Sequence, residues 1–150
     1  MGAYEGVTLG KKGASFLSQV GVPVKADFSH TSSFVSMVPA LADLITTEYI
    51  RGAYDSVELV YNEFVSIVRQ EPRRKTILPL AIESAGDSEI DSKTPFLIEP
   101  SVDEVFGALL PHYLENQIRD AVLQGEASEH SARMLAMRNA TDNALSLMDE

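Results

Sequence analysis

Chemistry that makes or breaks bonds needs groups able to hold a metal, take a proton or attack, so the candidates are worth gathering first. There is no cysteine among the 150 residues, which removes thiolate zinc sites, disulfides and a cysteine nucleophile together. His30, His112 and His130 are the three histidines, far apart and without paired ligand spacing, and they read as structural or exposed side chains. The serine-rich segments carry no nucleophile-elbow pattern. Glu83, Asp87, Glu89 and Asp91 gather carboxylates in one loop, but the alternating oxygen ligands of a calcium loop are missing, so a solvated acidic segment is expected. Gly10-Lys11-Lys12-Gly13 is a glycine turn between a strand and a helix. It lacks the Walker spacing and the second glycine pair of a dinucleotide site. No catalytic residue, metal site or cofactor is expected.

The bulk numbers exclude further classes. An apolar fraction of 45% and a charged fraction of 23% suit a soluble globular chain. A formal net charge of -10 repels nucleic acid and anionic lipid and favours a basic partner surface. No run approaches the roughly 20 apolar residues that span a bilayer, and no signal-peptide pattern opens the chain.

The elements that must position these groups follow from periodicity. Gly6 to Leu9 reads as a strand end, and a helix carrying Phe16, Leu17 and Val20 inward is closed by Gly21. Val22 to Phe28 alternates as a second strand with a parallel neighbour. A helix begins near Ser36, with Pro39 in its first turn, and runs to Gly52. Asp55 to Ser66 is apolar on both alternations and reads as a central strand buried on two faces. Glu71-Pro72 interrupts, Arg73-Arg74-Lys75 forms a solvated basic knot, Thr76 to Ile82 makes a short edge strand, and Pro95 to Glu99 makes a last one. Ser101-Val102-Asp103-Glu104 is a capping box. The helix it starts continues to Leu147 or Met148, with a kink or boundary at Pro111. The expected fold class is α/β: a Rossmann-like three-layer domain with a mostly parallel sheet over residues 1–100, followed by a long helix over 101–150 that would form a coiled coil.

In that helix, Gly125, Ser128, Ala132, Leu135, Asn139 and Asn143 fall at steps of three or four. Small residues let two backbones approach, and Asn in such a seam sets register at a cost in stability. Asn139-Ala140-Thr141 also matches a glycosylation sequon, discounted because it lies within a helix. Ser128, Glu129, Ala132, Arg133, Met134, Ala136, Met137, Asn139, Ala140, Thr141, Asn143 and Ala144 together resemble the gamma subunit of F-type ATP synthase, the rotor of the central stalk. Val60-Tyr61-Asn62-Glu63-Phe64, Ile77-Leu78-Pro79-Leu80 and Glu99-Pro100 fit the same family in the same order.

The resemblance implies a non-catalytic rotor subunit that couples rotation of the c-ring to ATP synthesis in the alpha/beta catalytic hexamer. It implies the epsilon subunit and, for the long helix, the N-terminal helix of the full-length gamma subunit as further partners, and a place peripheral to the membrane, on the cytoplasmic side in bacteria or the equivalent side of an organelle membrane. It places Ile98 and Glu99 at the foot facing the c-ring. The family's N-terminal helix, first strand with its Gly-Leu-Cys-Gly motif, and C-terminal end have no counterpart in this sequence, nor does the plant plastid redox segment. An incomplete piece with an exposed seam prone to self-association is therefore expected. The competing reading is a free-standing α/β nucleotide- or anion-binding module using the Gly10 turn, with the helix as a dimerisation arm.

Overall fold

The computed structural model describes residues 4–29, 31, 33–80 and 98–149. In chain order the elements are β1 (Gly6–Thr8), α1 (Lys11–Val20), β2 (Val24–Asp27), a short 3-10 turn (Val35–Met37), α2 (Val38–Ile50), β3 (Val57–Ser66), β4 (Arg69–Leu78) and α3 (Val102–Met148). The chain divides into two compact units, Met1–Leu41 and Ala42–Glu150.

In the first unit β1 and β2 pair in parallel, as their connection through a helix requires. Gly21 ends α1 in the left-handed region at φ 78°, and the amides of Gly21 and Val22 return to the carbonyls of Ser18 and Leu17. Gly6 earns its place differently, because a Cβ there would stand 2.3 Å from Leu17 Cδ1. That close approach makes Leu17 the inward residue of α1. Phe16 and Val20, expected beside it, are instead exposed, Phe16 at 61%. Two short strands offer too narrow a surface to cover a whole helix face.

Pro39 sits in the first turn of α2, where a missing N–H costs nothing. Gly52 at φ 74° follows its end, with amides of Gly52 and Ala53 returning to Tyr49 and Glu48.

The second unit corrects several expectations. β3 is half of an antiparallel hairpin with β4, and its burial alternates, leaving Val60 77% exposed, so it is not covered on both faces. The supposed basic knot belongs to β4: Arg73, Arg74 and Lys75 stand opposite Tyr61, Val60 and Leu59. Their charges are met across the ladder, Arg73 Nε donating to Glu63 at 2.6 Å and Arg74 Nε to Glu58 at 2.7 Å. The acids lie 10 and 16 residues upstream, which is why a local charge count made the segment a loop. Pro72, expected to break the strand, is tolerated within it. It stands opposite Asn62, whose carbonyl turns away from β4 to Ser128, so the ladder asks for no N–H at that position. Ile67 and Val68 form the two-residue turn. Because no described non-glycine residue has a positive φ, this turn does without the left-handed residues usual in such loops, and the register shifts between Phe64 and Ser66.

Leu78 ends β4. Ile98 and Glu99 are not in a strand, and residues 81–97, with the acidic loop, lie outside the described part. Ser101 caps α3, its hydroxyl accepting from the Glu104 amide at 3.2 Å, with Asp103 and Glu104 in the first turn. The helix then runs unbroken through Pro111 for 47 residues. Pro111 cannot donate to the Gly107 carbonyl, but both residues are exposed and glycine leaves room, so water can take that acceptor.

Candidate interaction site on the long helix

One side of α3 buries Leu114, Ile118, Ala121, Val122 and Ser128, and with Ile77 of β4 they supply the core of this unit. Ile118 is 1% exposed. Around these apolar contacts three polar side chains of α3 reach the hairpin. Gln117 accepts from Lys75 Nζ. Gln124 Oε1 accepts from the Phe64 amide at 3.0 Å, and Ser128 Oγ donates to the Asn62 carbonyl at 3.0 Å. The last two satisfy backbone groups on the edge of β3 that β4 does not reach. Helix and hairpin are thereby locked in register at one level, not merely pressed together.

The residues singled out from sequence fall into two sets. Gly125 is half-buried and Ser128, 2% exposed, is buried against the hairpin. Past Ser128 the cover stops. Glu129, Ala132, Arg133, Met134, Ala136, Met137, Asn139, Ala140, Thr141, Asn143 and Ala144 are exposed, and Leu135 is half-buried. Glu129 is tied to Arg133 at 2.5 Å and Arg138 to Asp142 at 4.0 Å, and the Thr141 hydroxyl donates to the Met137 carbonyl at 3.0 Å. These are contacts within one helix. Ile98 and Glu99 lie just before α3, outside any helix or strand, and are exposed. Sequence reasoning missed Gln117 and Gln124. Their spacing of seven on the buried side, among Leu114, Ile118 and Ala121, was the available signal.

Chemistry is sparse elsewhere. Among the described residues no group of three or more His, Asp or Glu could hold a metal ion. At the Gly10 turn, Asp27 occupies the same end of the strands, its carboxylate accepting from the Thr8 hydroxyl at 3.2 Å and from the Ser29 amide and hydroxyl at 2.9 Å. An anionic group already committed to neighbours is a poor companion for a phosphate. Among the described residues no helix is long and apolar enough to cross a membrane.

The helix is covered for only part of its length, and comparison with known proteins identifies the family. A profile of the ATP synthase family matches residues 2–150. The chain belongs to the ATP synthase gamma-chain family. It is 36% identical over 154 residues to the ATP synthase gamma chain of Verminephrobacter eiseniae, a match covering 99% of this chain and 52% of the relative. To that of Roseiflexus castenholzii it is 37% identical over 145 residues, covering 95% and 49%. The chain thus spans about half the length of the gamma chains it matches. Among solved structures it resembles a chain in the central stalk and c-ring of the Tetrahymena thermophila mitochondrial ATP synthase, with a TM-score of 0.65, 24% identity, and coverage of 90% of this chain and 58% of that one. A chain of the Euglena gracilis mitochondrial ATP synthase rotor gives a TM-score of 0.60 at 18% identity, covering 95% and 57%. At these identities the structural likeness speaks to the fold, which is mixed α/β with a parallel pair and a long C-terminal helix.

Proposed function

We propose that this chain is the globular part and lower shaft of a gamma subunit, working mechanically in an F-type ATP synthase and performing no bond chemistry itself. The observation that carries this reading is α3: it is clamped to the hairpin between Leu114 and Ser128 and largely exposed on either side of that stretch, as a shaft held in a seat over part of its length would be. Gamma-chain relatives support the assignment. In this role the hairpin holds the helix against rotation about its own axis, because torque on α3 must break two directional hydrogen bonds and the packing of Ile118 before the helix can turn in its seat. Ile98 and Glu99 form the foot that meets the c-ring, epsilon binds the globular part, and the alpha/beta hexamer surrounds the shaft. The chain then lies peripheral to the membrane, on its cytoplasmic side or the organelle equivalent.

The test is co-purification. Tagged chain co-expressed with epsilon and c-ring subunits of a gamma-family complex should retain both, and Ile98→Asp with Glu99→Lys should lose the c-ring while keeping epsilon. Saturable binding of ATP or NAD in calorimetry, abolished by Gly10→Ala, with no retention of either subunit, would refute the rotor reading in favour of a nucleotide-binding module.

A further inference from the structure

We draw no further inference here: the strongest candidate, the shallow depression between β3 and α3 lined by Phe64, Asp120, Leu123, Gln124 and Ala127, is an open surface patch, and nothing in the structure shows what covers it.

Discussion

Replacing Ser128 with alanine isolates the clamp between helix and hairpin. The residue is buried, and its hydroxyl is the donor to the Asn62 carbonyl at 3.0 Å, on an edge of β3 that β4 cannot serve. Deleting the hydroxyl loses a hydrogen bond worth ~0.5–1.5 kcal/mol and leaves a carbonyl whose desolvation costs up to ~3 kcal/mol if water cannot reach it. Alanine returns up to ~0.5 kcal/mol through its better helix propensity. Asn62 is itself exposed, so water recovers part of the carbonyl and the net loss should be ~1 kcal/mol. For a chain of this length that lowers the melting temperature by ~2–4 °C. Urea unfolding followed by circular dichroism gives the free energy, and hydrogen exchange at Phe64 gives the mechanism. If Ser128 and Gln124 act as one clamp, its amide should exchange faster in Ser128→Ala although its own bond to Gln124 is untouched. Ala132→Ser, one turn on and exposed, is the control and should stay within ~0.5 kcal/mol. A neutral Ser128→Ala with unchanged exchange at Phe64 would show that packing alone seats the helix.

Three other outcomes follow from the same contacts. Ile118→Ala empties the most enclosed position on α3 and should cost ~2–5 kcal/mol by urea unfolding, whereas Met134→Ala, on the open part of the helix, should cost far less. Pro111→Ala restores a donor to the Gly107 carbonyl and should stabilise α3 by up to ~3 kcal/mol, seen as a higher urea midpoint. The Arg74 guanidinium holds the Glu58 carboxyl below its ordinary range, first by hydrogen bonding and then by charge. A carboxyl depressed on folding stabilises above its unfolded pKa and loses that contribution as pH falls through the folded value, so Glu58→Gln should lower the melting temperature slightly at neutral pH and not at all in strong acid.

Much of this protein is written locally. Ser101 with Glu104 starts α3, Gly21 and Gly52 end their helices, and Pro39 marks a first turn, because each acts on backbone groups within four residues of itself. The absence of thiols and of metal-ligand spacing, and the residues shared with gamma chains, were equally open to reading. Pairings between distant residues were not. Arg73 and Arg74 meet their acids only when β3 brings Glu63 and Glu58 across, and Pro72 is allowed because the register of the ladder sets it opposite Asn62, whose carbonyl points away from β4. The side of α3 that is gripped was also a tertiary decision. A long helix with apolar and small residues on several faces has no unique inside, and the hairpin chose one by covering Leu114, Ile118 and Ser128, which left Phe106, Leu109, Met134 and Met137 in water.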